Sequence, residues 1–206
     1  MCKVDWNLVI QAFIGIGTIA VAVLAIWGNW FKYRLTPPKL QIVPQNLRGE
    51  LTQLIGPGFK NRVIYYHLKV INSRHWSTAK NCQVQLIEIR KKLANQEFQK
   101  IPLNAYPSFR WSPAELTGLS IDISHEQIFD FGRITEHGNY FEPVLSIYAN
   151  NFGGFVEATN VIRYTLKIVA EGYVSSKTKI FEVAWNGQWS DNLDEMSRNL
   201  TIREII

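Results

Sequence analysis

The run RVIYYHLKVIN, residues 62–72, places Ile64, Tyr66, Leu68 and Val70 at alternate positions, with His67 and Lys69 between them. Successive side chains of a strand point to opposite faces, so this period of two predicts a β-strand with one side in a core. Downstream, residues 81–90 repeat the pattern with Cys82, Val84 and Leu86 facing in, while Ile87 and Ile89 do not fit one alternation. A bulge, or a strand covered on both faces, accounts for that break. Further candidates are 40–43, 119–123, 127–134, 144–149, 161–170 and 178–185, with a turn-rich, weakly patterned stretch from Pro44 to Gly58. Strands punctuated by Gly, Pro, Asn and Ser, without an amphipathic helix between them, predict a mainly β chain folded as an antiparallel β-sandwich. Asp191 and Asp194 suit the first turn of a short C-terminal helix over 191–197, and 200–206 reads as more helix or as an added edge strand.

Upstream the character changes. From Trp6 through Phe31 no side chain is charged. About 20 apolar residues at 1.5 Å each cross a hydrocarbon core of about 30 Å, and in lipid only a helix pairs its own backbone groups. Residues 1–35 are therefore read as an N-terminal tail and transmembrane helix, and 36–206 as the β-sandwich domain. Thr36-Pro37-Pro38 ends the helix, because proline lacks the amide donor. A cleaved signal peptide would end near Ala20-Val21-Ala22, but the apolar run continues through Val23 to Trp27, which argues against cleavage. A buried helix of a soluble protein would show a polar face, and the segment offers only Asn7, Gln11, Thr18 and Asn29.

Trp6 at one end and Trp27 and Trp30 at the other suit the two headgroup zones, and Lys32 and Arg34 follow the span. These five residues form the expected anchor. The positive-inside rule then puts the C-terminal domain in the cytoplasm of a single-pass protein of the plasma or bacterial inner membrane. The net charge of +5, from 22 Lys+Arg against 17 Asp+Glu, suits an anionic lipid surface and falls short of a nucleic-acid footprint. With two cysteines in different environments no disulfide framework is expected, and Cys82 reads as a small buried hydrophobe.

Val70-x-Asn72 followed by Ala79-x-Asn81-Cys82-x-Val84-x-Leu86 resembles a strand–loop–strand pattern of uncharacterised bacterial single-pass membrane proteins. These carry an N-terminal transmembrane helix and a C-terminal immunoglobulin-like β-sandwich. The ending Ala184-Trp185-Asn186-Gly187-Gln188-Trp189, with Met196, Leu200 and Ile202, is similar to the tail of the same group. The likeness covers two short stretches, implies fold and topology, and carries no catalytic residue across.

Chemistry is sparse in the sequence. His67, His75, His125 and His137 lack ligand spacing, so neither metal nor other cofactor is expected. No nucleophile elbow or phosphate loop is present, so no catalytic residue is assigned and the reading leans away from an enzyme. Tyr106, Phe109, Arg110 and Trp111, between Pro107 and Pro113, form a candidate ligand-binding loop through stacking or cation–π contacts. The competing reading makes them, with Tyr140, Phe141, Phe152 and Phe155, plugs at the ends of the sandwich. Asn199-Leu200-Thr201 matches a glycosylation triplet. The leading expectation is a non-enzymatic membrane-anchored module that binds a protein or small ligand at the inner membrane surface. Its partners are the bilayer and that ligand, with no nucleic acid, and oligomeric state is left open. One alternative is a ligand-sensing effector of stress or antiphage type whose helix acts on the membrane. The other is a membrane-tethered hydrolase using distant acids such as Asp122, Asp130 and Glu171.

Overall fold

The computed structural model describes residues 6–56, 59–113, 118, 120–175 and 177–205, without the side chains of 29–34, 55, 56 and 59. The chain divides into two compact units, Met1–Pro37 and Pro38–Ile206. The first is α1 (Trp6–Leu35), in which Trp6–Gly28, 23 residues, is long and apolar enough to cross a membrane. None of that stretch is buried against protein. Thr18, one of its few polar groups, donates its hydroxyl back to the Ile14 carbonyl at 2.8 Å, which satisfies it within the helix.

The second unit is built from β1 (Leu40–Gly56), β2 (Phe59–Asn72), β3 (Ala79–Lys92), β4 (Phe98–Ile101), β5 (Arg110–Trp111), β6 (Ile121–Ile123), β7 (Glu126–Thr135), β8 (Tyr140–Pro143), β9 (Val156–Glu157), β10 (Val161–Ala170), β11 (Tyr173–Val174), β12 (Lys179–Trp185), the short helix α2 (Leu193–Asn199) and β13 (Leu200–Ile205). One sheet runs β1-β2-β7-β8-β9 with β5 also on β7; the other runs β13-β12-β10-β3-β4, with β11 on β10 and β6 on β3. Every described pairing is antiparallel. The chain is thus mainly β, with the expected two antiparallel sheets, long N-terminal apolar helix and short C-terminal helix.

The alternating faces meet in one core. Ile64, Tyr66, Leu68 and Val70 of β2 are buried, as are Ile162, Tyr164, Leu166 and Ile168 of β10. At its centre the Phe131 ring lies 5.5 Å from Phe181, 5.8 Å from Phe109 and Tyr164, and 5.9 Å from Phe141, mostly tilted or edge-on as aromatic quadrupoles prefer. Next to it, a Cβ added to Gly132 would sit 2.0 Å from Phe141 Cζ. Phe141 cannot retreat, because Tyr66, Phe131 and Tyr164 hold it. Gly132→Ala is therefore expected to overpack the core and lower the melting temperature by roughly 5 °C, read by tryptophan fluorescence on the full-length protein in detergent. An unchanged melting temperature would show that the glycine is not needed for space.

Sequence and structure differ where strands are irregular. The weakly patterned stretch after Pro44 is strand, not turn: β1 continues to Gly56, with register shifts between Pro44 and Asn46 and between Asn46 and Glu50. Gly49, at φ +86°, makes that bulge possible, since a Cβ there would lie 2.3 Å from Ile64 Cγ2. Pro44 is tolerated because β1 is an edge strand. The parity break in β3 is a bulge as well: Leu86 pairs with Leu166 and Glu88 with Thr165, so Ile87 is skipped and Ile89 returns inward. The candidate strand 144–149 is irregular and keeps only a bridge from Leu145 to Phe109. The tail resolves as helix followed by edge strand. Asn192 caps α2 by accepting from the amides of Asp194 and Glu195.

Cys82 is fully buried, and burial pushes its thiol up to about 12. Burial likewise raises the phenols of Tyr66 and Tyr164 above their ordinary value. An acid whose folded pKa is raised contributes stability below its unfolded pKa and loses it as pH climbs toward the folded value. The melting temperature is therefore expected to hold level to about pH 8.5 and then to fall as pH climbs toward about 12, with Cys82 giving way first. Cys82→Ala should flatten the early part of that fall, and an identical profile in the variant would refute the role of the thiol.

Candidate functional site

The outward face of the β1–β2–β7–β8 sheet is ruled into rows by strand register. Glu50, Tyr65, Arg133 and Glu142 form one row, and His67, Asp130 and Arg110 the next. Asp130 faces outward between the buried Phe129 and Phe131, and a register shift between Tyr66 and His67 brings it directly opposite His67. A polar outer face is ordinary for a sandwich, but here it sinks. His67 and Asp130 side chains are only 14% and 11% exposed, and Asp130 belongs to a strand flanked by β2 and β5.

Glu50, Thr52, Tyr65, His67, Ser112, Pro113 and Asp130 line an open cleft of about 250 Å³. The bulge in β1 swings Glu50 toward it. His67 Nδ1 lies 3.0 Å from Asp130 Oδ1, and Nε2 lies 3.6 Å from Glu50 Oε2. The first pair is close enough for ionic contact, yet its angle misses hydrogen-bond geometry, so neither atom has a well-directed partner. The Tyr65 ring stacks beside the imidazole at 6.2 Å. Its hydroxyl accepts from Arg133 Nη1 at 3.3 Å, and Arg133 Nε donates to Glu142 at 2.8 Å. Arg133 is thus committed to Glu142 and Tyr65, and the carboxylates of Glu50 and Asp130 set the sign of the cleft.

Ser112, His67 and Asp130 invite comparison with a nucleophilic triad, and the register argues against one. Such a triad needs the acid on one imidazole nitrogen and the hydroxyl on the other. Here Asp130 sits on the strand between His67 and β5, which Ser112 follows, while Nε2 points the opposite way, to Glu50 on β1. Ser112 instead ties the strand end, its amide donating to Ile128 and its carbonyl accepting from Gln127 Nε2.

The sequence-derived ligand loop is divided by its own alternation. Phe109 and Trp111 are core residues at 1% exposure, with Phe109 5.6 Å and Trp111 5.9 Å from the Phe129 ring, whereas Tyr106 and Arg110 face solvent. The four side chains share no surface. Tyr140, Phe152 and Phe155 pack on one another at 4.7 and 5.1 Å, whereas Phe141 is buried in the core against Tyr66, Phe131 and Tyr164. The three acids also separate: Asp122 accepts from the Asn81 amide and Glu171 from its Nδ2, whereas Asp130 belongs to the other sheet. His75 and His125 stack at 4.6 Å, and among the described residues no group of three or more His, Cys, Asp and Glu is placed to hold a metal ion. Of the anchor residues, Trp6 and Trp27 are exposed, and the side chains of Trp30, Lys32 and Arg34 lie outside the described ones. Asn199 of the glycosylation triplet is buried, with its Oδ1 accepting from Asn186 Nδ2 at 2.9 Å, so it closes the junction of α2 and β13.

No family model matches the chain, and a search of curated proteins finds no match.

The sequence reading named Asp130 but missed Glu50 and His67. His67 was visible as the one imidazole on the polar parity of the clearest strand. Asp130 was visible as an acid between two phenylalanines. What no spacing could show is that β2 and β7 pair with those two residues opposite one another.

Proposed function

We propose that this chain is a single-pass membrane protein whose β-sandwich is a binding module on the inner membrane surface, and that the Glu50–His67–Asp130 cleft takes a small cationic group such as a primary amine. The observation that carries the reading is Asp130: a carboxylate mostly withdrawn from water, its oxygen without a well-directed donor, opening on a cleft with a second acid across it. A carboxylate in that setting gains from an incoming charged donor, since a charge-assisted hydrogen bond is stronger than a neutral one. Binding is favoured over catalysis because both imidazole nitrogens face carboxylates, which leaves none to activate a nucleophile. Charge downstream of α1 supports a cytoplasmic domain.

Titration of the full-length protein in lipid nanodiscs with small alkylamines and guanidinium, followed by calorimetry, tests the cleft. Organic cations are expected to bind and carboxylic acids not to. Asp130→Asn is expected to weaken binding about tenfold and Glu50→Gln about threefold, because Glu50 is the more exposed acid. Equal affinities in wild type and both variants, or no binding by any cation, would overturn the reading.

A further inference from the structure

His67 stands between two carboxylates that approach it from opposite sides. On β7, Asp130 Oδ1 is 3.0 Å from Nδ1, and on β1, Glu50 Oε2 is 3.6 Å from Nε2. A neutral imidazole carries a single N–H, so whichever nitrogen holds it, the other turns a lone pair toward a carboxylate oxygen. The shorter contact gives no relief, because Nδ1 and Oδ1 both lack a well-directed partner. Two occupants remove the conflict. A proton on the ring makes both nitrogens donors, one to each acid, whereas a cationic donor lodged in the cleft satisfies the acids while the ring stays neutral.

The other charged and titratable groups around the ring are occupied or turned away. On β2 itself, the Tyr65 hydroxyl accepts from Arg133 Nη1, and Lys69 pairs with Glu126 at 2.9 Å. On β7, Arg133 is held by Glu142 at 2.8 Å, and on β1, Arg48 pairs with Asp194 at 3.2 Å. Arg110 lies opposite Asp130 on β5 and faces solvent. Of the side-chain types gathered here, only an imidazole ordinarily changes its charge between pH 5 and 8.

We infer that the cleft exchanges a proton for an organic cation: protonated His67 serves as its built-in counter-ion and shuts out an ammonium, and an ammonium that binds expels the proton. The inference rests on the reading of the cleft as a cation site. At about pH 8 the ring is neutral and both acids are open to a ligand. At about pH 5.5 the imidazolium takes the oxygens the ligand needs and repels it at close range in a half-sunken cleft. An alkylammonium, like a lysine side chain, stays charged over that whole range, so its own titration plays no part. Affinity therefore falls as pH drops, and by reciprocity each amine bound at low pH releases up to one proton.

The test titrates ethylamine into the full-length protein in phosphatidylcholine nanodiscs by calorimetry, at about pH 8 and about pH 5.5, each in two buffers of different ionisation enthalpy. Binding is expected to be about tenfold weaker at the lower pH, with most of one proton released per amine there. In His67→Gln the ratio of the two affinities should drop to about one and the proton release should vanish. A readout that needs no variant is the histidine ring-proton spectrum of the wild type: one of the four imidazoles should titrate at lower pH once ethylamine is present. Equal affinity at both pH values without proton release, or four imidazoles indifferent to ethylamine, overturns the exchange and leaves the cation site standing. A tenfold ratio that persists in His67→Gln overturns the role of His67. Absence of binding at about pH 8 overturns the cation site, and the exchange with it.

Discussion

Replacing Asn72 with leucine is expected to lower the stability of the β domain by about 4 kcal/mol. The side chain is fully buried and uses all of its hydrogen-bonding capacity. Oδ1 accepts from the amides of Lys39 and Arg74 at 3.2 and 3.1 Å, while Nδ2 donates to the carbonyls of Ser77 and Ile123 at 2.7 and 3.3 Å. One amide thus joins the chain entering β1, both ends of the 73–78 loop, and β6 of the opposite sheet. Leucine has nearly the same volume and pairs with none of them, so buried backbone groups lose a partner at about 1–3 kcal/mol each, partly offset where water reaches Lys39. Chemical denaturation of the full-length protein in detergent gives the measurement. Asn72→Asp should also destabilise, by setting a carboxylate against two carbonyl oxygens. A loss below about 1 kcal/mol for leucine would mean that the loop finds other partners.

Asn72 also shows what sequence can and cannot disclose. The alternation of residues 62–72 identifies β2 because period two is a local property, and the same holds for β10 and β12. The strand–loop–strand resemblance includes Asn72, but nothing in the spacing reveals that its amide bridges two sheets. β1 beyond Pro44 was illegible for a related reason: Gly49 and the Asn46 side chain, which donates to the Gly49 carbonyl at 3.2 Å, build a bulge that breaks local periodicity while cross-strand pairing resumes at Glu50. In the candidate ligand loop, Pro107 and Pro113 suggest irregular chain. Phe109, Arg110 and Trp111 nevertheless obey a strict in–out–in order, and the order, not the prolines, governs where the rings go. The cleft depends on register. Glu50, His67 and Asp130 come from three strands, and a slip of one residue in either pairing would turn one of them into the core.

Inserting two carboxylates in the middle of α1, Ile16→Asp with Ile19→Asp, is expected to release the protein from membranes. An aspartate at the centre of a span costs about 2.5–3.5 kcal/mol, so the pair costs about 6 kcal/mol and lowers the preference for the bilayer by roughly 10⁴-fold. Wild-type protein should stay in the pellet after alkaline carbonate washing and the variant should move to the supernatant, while Ile16→Leu with Ile19→Leu behaves as wild type. The β domain should keep its near-ultraviolet circular dichroism in the released variant, because the described core cluster is made of residues between Leu40 and Ile202. That pairing of outcomes separates the two uses of a long apolar helix. A helix of a soluble core would tolerate neither acid without loss of tertiary structure, whereas a membrane span loses its solvent and leaves the folded domain behind. Retention of the doubly acidic variant in the carbonate pellet, with native circular dichroism, would mean that something other than α1 holds the chain to the membrane. The acidic cleft would then have to be explained without a tether.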